Sequence, residues 1–411
     1  MTDAVAGARP HPAPRVGRRP FIAALGVGQI VSWGTLYYSF PLMAGPMAQE
    51  FGLSKPEVYG AATVGLAAAS LAAYPVGAAI DRGHGRAVMA AGSGLASLLL
   101  LVWALLPASW ALYPLFVGIG LAQAMTLYEP AFAVVARRYG AGVRAGITTL
   151  TLWGGFASTV FVPVIQLLLD QVGWRPALAV LALANLMFGM VPHLAVIDRG
   201  TDAPAPSTGP MAGRTAIGWA LRRPAFWGLL VAFTVYYGTF SALTFHLYPL
   251  LIERGFDAVT VVGAIAIIGP SQVAGRVAVW LFAARRSIRA VGSITVLGFP
   301  AALLLFWALP PGFVSLAVFA TVYGAANGIM TIVRGLAVPE MLTRDAYGAI
   351  NGALAVPATA AKAAAPVLAA ALWAATGSYD AVLTAAFAGS VVVVLGFWAA
   401  ALHGRPAGGV R

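Results

Sequence analysis

Gly77-Ala78-Ala79-Ile80-Asp81-Arg82-Gly83-His84-Gly85-Arg86 is a short charged stretch set between two apolar runs, 58 to 80 and 87 to 106. The chain has 411 residues, 60% hydrophobic and 9% charged, whereas an ordinary soluble domain carries about 25% charged residues. Each flanking run has the roughly 20 residues that a helix needs to cross ~30 Å of hydrocarbon. The charged stretch therefore reads as the turn between two membrane spans. Working outward from it, comparable runs recur at about 21 to 48, 110 to 135, 146 to 169, 176 to 197, 225 to 251, 259 to 284, 290 to 309, 313 to 338, 347 to 375 and 381 to 402. With the first two, these make twelve spans. None alternates with the period of two expected of a membrane barrel, so the chain is expected to be an all-α membrane protein.

The basic residues orient the bundle, because Lys and Arg near span ends stay on the cytoplasmic side. Nineteen of them belong to the termini and the even-numbered connections: Arg9, Arg15, Arg18, Arg19, Arg82, Arg86, Arg137, Arg138, Arg144, Arg199, Arg214, Arg222, Arg223, Arg285, Arg286, Arg289, Arg344, Arg405 and Arg411. Opposite them stand Lys55, Arg175 and Arg254. Both termini are thus expected in the cytoplasm of a cell whose inner membrane holds the protein. The net charge of +12 is a topology signal with some attraction to anionic lipid; spread over short loops, it does not read as a nucleic-acid surface. The Pro- and Arg-rich residues 1–20 have no apolar h-region of their own and read as a cytoplasmic lead-in.

One long hydrophilic stretch, 198–224, has the Asp, Pro, Gly and Arg composition of a linker. It separates a bundle at 21–197 from a second at 225–402, followed by a cytoplasmic tail, 403–411. Trp33-Gly34-Thr35 matches Tyr237-Gly238-Thr239, Pro163 matches Pro366, and Arg144-Ala145-Gly146-Ile147 matches Tyr347-Gly348-Ala349-Ile350, at separations of 204, 203 and 202 positions. Three matches at nearly one separation argue for duplication of a six-helix unit. A parallel repeat of this kind places a substrate site between the halves near mid-membrane, reached by rocking one half against the other.

The stretch from Gly77 to Arg86 resembles the signature loop of the major facilitator superfamily, G-x-x-x-D-R-x-G-R, with one extra residue before the second glycine. The resemblance implies two pseudo-symmetric six-helix bundles, transport by alternating access, and a latch formed by Gly77, Asp81, Arg82, Gly85 and Arg86. The second half keeps only Arg285-Arg286 at the equivalent place, and Pro114 stands where the superfamily's usual span-four Arg would align.

Four ionisable residues fall inside spans: Glu129, Arg276, Arg334 and Lys362. Each costs at least ~2.5 kcal/mol on insertion scales and calls for a partner or a use. Arg276 in span eight and Lys362 at the centre of span eleven have no equally deep acid to neutralise them, so an anion from outside the chain is expected. A carboxylate suits both, Arg as a bidentate fork and Lys as a point charge. The pattern resembles the oxalate:formate antiporter family, in which a span-eight Arg and a span-eleven Lys bind carboxylates. It also resembles the related monocarboxylate transporters, although Gln272 stands where those place an acid and their span-one Lys is missing. Glu129 is expected to pair with Arg86 or Arg137 at the inner gate, with proton carriage as the alternative, and Arg334 to snorkel towards the inner end of span ten. Trp33, Tyr37, Tyr38, Tyr128, Trp153 and Tyr323 offer rings and donors for a small pocket.

With Cys 0 and no nucleophile or metal constellation, enzyme chemistry is not expected, nor is a cofactor. A P-loop is excluded because Ser54 precedes Lys55 and Ala361 precedes Lys362, where that motif needs Gly. The expected function is secondary transport of a small organic anion, a mono- or dicarboxylate, by a monomer in a lipid membrane, with a proton or counter-substrate as coupling partner. The competing reading is a proton-driven exporter of hydrophobic or cationic compounds, whose cavity would expose Glu129.

Overall fold

The computed structural model describes residues 17–139, 143–198, 213–283, 286–343 and 347–404. Arg9, Arg15, Arg199, Arg285, Arg344, Arg405, Arg411 and most of the linker lie outside them, as do the side chains of Asp81, Arg137, Arg144 and Arg214. Eleven helices among the described residues are long and apolar enough to cross a membrane. The 25-residue helix Lys55–Ala79 takes the place of the remaining sequence-predicted span, the second. Leu98, Leu105, Leu167, Leu183, Phe188, Leu395 and Leu402 are exposed on the outside of the bundle, as a lipid-facing surface requires.

The first half contains the more broken helices. Span one runs Arg18–Trp33, passes through a π-turn at Gly34–Tyr38 and resumes as Ser39–Phe51. Span two is followed by a π-turn, Ile80–His84, and span three is Gly85–Ala104. Span four, Leu112–Thr126 and Tyr128–Tyr139, is interrupted at Leu127, whose ψ of −157° is extended. Span five is Val143–Gly154 and Ala157–Val172; span six is Trp174–Asn185, the π-turn Leu186–Met190 and Val191–Val196. After a short linker helix, Gly213–Leu221, the second half comprises Pro224–Glu253, Ala258–Phe282, Ile288–Thr295 with Gly298–Ala308, Phe313–Met341, Tyr347–Thr376 and Asp380–His403. Among the described residues of this half, only span nine is split.

Equivalent positions make equivalent contacts in the two halves. Asn185 of span six donates to Thr35 Oγ1 of span one at 2.6 Å, while Gly389 of span twelve, 204 positions on, packs so closely on Thr239 that a Cβ would lie 2.6 Å from its methyl group. Thr35 and Thr239 each return a hydrogen bond to the carbonyl four residues back, at Val31 and Val235. Spans two and four touch backbone to backbone at Gly65 and Gly120, and spans eight and ten do so at Gln272 and Gly328. At Gly120 and Gly328 any side chain would enter the facing peptide unit, so close approach, not φ, demands glycine.

A proline removes the donor for the carbonyl four residues earlier, and four such carbonyls find side-chain donors instead. Gln29 Nε2 donates to Thr126 O, freed by Pro130, at 2.7 Å; Ser241 donates to Lys362 O, freed by Pro366, at 2.8 Å. The other two bonds cross between halves: Tyr59 OH to Phe245 O (Pro249) at 3.2 Å and Thr159 Oγ1 to Ala266 O (Pro270) at 2.8 Å. These prolines thus provide docking points between helices.

The halves close at the face of the odd-numbered connections. Lys55 Nζ pairs with Glu253 Oε2 at 3.1 Å and sits 3.3 Å from the centre of the Trp373 ring. Tyr59 stacks on His246 at 4.0 Å, Tyr37 and Phe40 pack on Phe245, and Tyr248 OH bonds Gln166. The main apolar core of the first half takes in Phe245, Val262, Ala363 and Ala370 from the second.

Candidate functional site

Beneath that closure, spans one, four, seven, eight, ten and eleven bring the intramembrane charges towards one region. Arg276 is buried at 6% exposure and, among the described residues, bonds backbone carbonyls alone: Nη1 to Thr151 O of span five at 2.6 Å and Nε to Gly328 O at 3.2 Å. It has no ion pair, and its Nη2 no hydrogen bond, among the described residues. Tyr38, Tyr128 and Tyr236 are within its electrostatic reach. Lys362 has its Nζ 5.4 Å from the Tyr37 ring centre and 5.9 Å from that of Trp33, and it too lacks a carboxylate partner among the described residues. Its backbone carbonyl is the one held by Ser241.

The aromatic residues divide. Trp33 contacts Tyr37 and Tyr128, each at 5.1 Å, and Tyr38 at 6.3 Å; Tyr37 and Tyr38 meet at 5.6 Å. Among the described residues, Trp33 Nε1, Tyr37 OH and Tyr323 OH are buried without a well-formed hydrogen bond, with Ser241 near the Tyr37 hydroxyl and Asn327 near that of Tyr323. A buried polar atom left unpaired costs about 1–3 kcal/mol, so three such groups near two unneutralised cations describe a site built for a ligand with acceptors. Trp153 belongs elsewhere: its indole lies on Gly26 of span one, where a Cβ would collide with it. Tyr323 stacks on Phe319 at 5.4 Å and enters the group through its hydroxyl.

The bends in the first half are what present these rings. Gln123 of span four donates to Leu36 O inside the π-turn of span one at 2.8 Å, and Gln29 of span one donates to Thr126 O beside the break in span four. Each broken backbone is satisfied by the other helix. The π-turn carries Tyr37 and Tyr38 and directly follows Trp33, and the break at Leu127 is followed by Tyr128 and Glu129. Both glutamines escaped the sequence analysis, since nothing in an apolar run distinguishes a structural Gln from an incidental one.

Glu129 is exposed and acts electrostatically on Lys362 and Tyr237; it makes no ion pair with Arg86 among the described residues. Arg334 differs from the snorkelling expected of it. It bonds Tyr237 OH, lies 4.9 Å from that ring's centre and reaches Lys362 electrostatically. In the loop between spans two and three, the left-handed residue is Gly83, φ 91°. Gly85 is buried so tightly that a Cβ would lie 2.8 Å from Val134 of span four, whereas Gly77 has open space around it. Arg82 is exposed and Arg86 half-buried.

A sequence profile of the Major Facilitator Superfamily matches residues 25–307. Monocarboxylate transporter 11 of Homo sapiens is 28% identical over 325 residues, 77% of this chain and 61% of that protein; its Mus musculus counterpart is 27% identical over 78% and 65%. The chain therefore spans less than two thirds of the length of these relatives. Among solved structures, a bacterial homologue of the human lysosomal transporter Spinster, inward-facing and unoccupied, superimposes with a TM-score of 0.69 at 14% identity over 97% of this chain and 98% of that one. A mutant of the nucleoside transporter NupG does so with 0.71 at 15% identity over 93% of this chain and all of that one. The chain belongs to the major facilitator superfamily.

Proposed function

We propose that the protein carries a small carboxylate, its anionic group held between Arg276 and Lys362 and its remaining acceptors met by Trp33 Nε1, Tyr37 OH and Tyr323 OH. The observation that carries this reading is the pair of deep cations without carboxylate partners among the described residues, faced by donors without well-formed hydrogen bonds. Leaving such groups empty is costly in low dielectric, and a carboxylate relieves both deficits at once. Similarity to proteins named monocarboxylate transporters supports the same substrate class. Tyr38 and Tyr128, both within electrostatic reach of Arg276, complete the site. Glu129, exposed towards Lys362, is the group suited to a coupling proton: neutral, it leaves Lys362 to the substrate; ionised, it competes. The positive-inside count supports a cytoplasmic location for the termini and for the loop from Gly77 to Arg86, with Asp81, Arg82, Gly85 and Arg86 as the inner latch.

Counterflow in proteoliposomes over a panel of carboxylates, amino acids and cationic dyes tests this. Carboxylate exchange that is lost in Arg276→Gln and in Lys362→Gln is the expected result; undiminished exchange by both variants would overturn the site. The second reading, efflux of a cationic compound, is favoured by the exposed carboxylate of Glu129. Dye efflux that disappears in Glu129→Gln would select it.

A further inference from the structure

The outer closure contains a buried histidine that none of the preceding chemistry uses. His246 of span seven is fully buried, and both ring nitrogens are engaged. Nε2 meets Pro366 O at 2.8 Å and Nδ1 meets Tyr379 OH at 2.9 Å. A carbonyl can only accept, so Nε2 carries the proton and Nδ1 accepts from the tyrosine. The closed gate is thus satisfied by a neutral imidazole; a second N–H, at Nδ1, would require the Tyr379 hydroxyl to turn its proton away and accept instead.

Every element packed on this ring brings a constraint. Span two lays Tyr59 flat against it at 4.0 Å while also donating to the adjacent carbonyl of Phe245. Lys55, from the start of the same span, acts on His246 electrostatically and is itself held over the Trp373 and Tyr379 rings, at 3.3 and 4.7 Å. Glu253, the acid at this end of span seven, is already taken by Lys55, Trp373 Nε1 and the backbone N–H of Tyr379. Arg254 and Asp380 pair with each other beside it. Span one presents Tyr37 to the neighbouring Phe245. Span eleven contributes Pro366, with Lys362 one turn inward. An imidazolium in this box would turn the Tyr379 hydroxyl away, sit near a lysine and lose its water, against a modest gain from the Tyr59 ring.

Span seven also grips span eleven on both sides of its kink. His246 holds the Pro366 carbonyl, and Ser241 holds the carbonyl that Pro366 leaves free, that of Lys362. Movement of the gate histidine is therefore transmitted to the backbone that carries a site lysine.

We propose that His246 is a proton-sensitive positioning residue: neutral, it locks the outer gate and holds Lys362 in place; protonated from the outside once exposed, it keeps the gate open and releases that grip. The involvement of substrate rests on the carboxylate reading above, but the latch does not. An open gate exposes the ring to water, where histidine titrates near about 6.5, so external acid draws the population towards the outward-open state and alkali towards the closed one.

Because the chain contains no cysteine, one introduced thiol reports gate opening without interference. Ala370→Cys lies fully buried in the seam; its alkylation by a membrane-impermeant maleimide in proteoliposomes, normalised to the exposed Val259→Cys, is expected to rise about fivefold or more as external pH falls from about 8 to about 5.5. Adding His246→Gln, whose amide offers the same donor and acceptor but cannot titrate, is expected to flatten that profile while keeping labelling slow. Adding Tyr379→Phe, which removes the donor to Nδ1, is expected to move the midpoint to higher pH. A flat profile in the Ala370→Cys protein, or an unchanged one after His246→Gln, would overturn the proposal. Labelling uses no substrate, so a pH-responsive latch combined with failed counterflow for every carboxylate supports the latch and sinks only the carboxylate reading. In carboxylate counterflow, external acid is expected to raise KM severalfold more in the parent than in His246→Gln.

Discussion

The first half bends its helices and presents rings; the second keeps most of its helices continuous and presents cations. Span one carries a π-turn at Gly34–Tyr38 where its counterpart, span seven, runs unbroken from Pro224 to Glu253. Span four breaks at Leu127, whereas span ten is helical from Phe313 to Met341. Conversely, Arg276, Arg334 and Lys362 all belong to the second half, and the one acid, Glu129, to the first. The contacts of Thr35 with span six and of Thr239 with span twelve correspond between the halves, while the chemistry differs. A repeat with its interface at the pseudo-twofold axis permits this, because each half need supply only part of a shared site.

The sharpest way to break this division of labour is to remove the charge. Arg276→Gln or Lys362→Gln is expected to cost about 2–5 kcal/mol of anion binding, a loss of ~30-fold or more in carboxylate counterflow, with thermal stability in detergent little changed for Lys362→Gln. The ring side should respond more weakly. Tyr37→Phe deletes a hydroxyl without a well-formed hydrogen bond among the described residues, so unfolding should change little while KM rises ~10-fold or more, as for a hydrogen bond to a charged group worth about 1.5–3 kcal/mol. The bends themselves are tested by Gln29→Leu, which leaves the Thr126 carbonyl without its donor and is expected to lower stability by about 1–3 kcal/mol; a loss of transport without loss of stability would mean that Gln29 belongs to the substrate and not to the bend. Smallest is Ser54→Ala. Ser54 caps the second span and bonds Glu57 reciprocally, so its removal should cost about 1 kcal/mol, read from thermal unfolding, and spare KM.

Much of the architecture was legible from residues alone. Span lengths and apolar runs translate directly because lipid leaves the backbone no option but internal hydrogen bonding, and the pairing of Trp33-Gly34-Thr35 with Tyr237-Gly238-Thr239 pointed to a repeat that the contacts at Gly389 and Asn185 also display. Less legible were the residues that hold the bends. Gln29, Gln123 and Ser241 act on carbonyls distant in sequence, and a carbonyl's need appears only when the helix that exposes it has a neighbour. Trp153 reads like Trp33 in one dimension, yet it covers Gly26 while Trp33 faces Lys362.

The sequence by itself determined that this chain crosses a membrane many times, that two related halves share it, and that charge is too expensive at depth to be idle. These follow from composition and the cost of transferring polar groups into hydrocarbon, which depend on residue type. Only the tertiary structure decided how these groups are partnered among the described residues: Arg276 on carbonyls alone, Tyr37 and Tyr323 without well-formed hydrogen bonds at their hydroxyls, His246 with both nitrogens taken. Partnership is a matter of distance and direction between helices remote in the chain, and no pattern along one strand of sequence contains it.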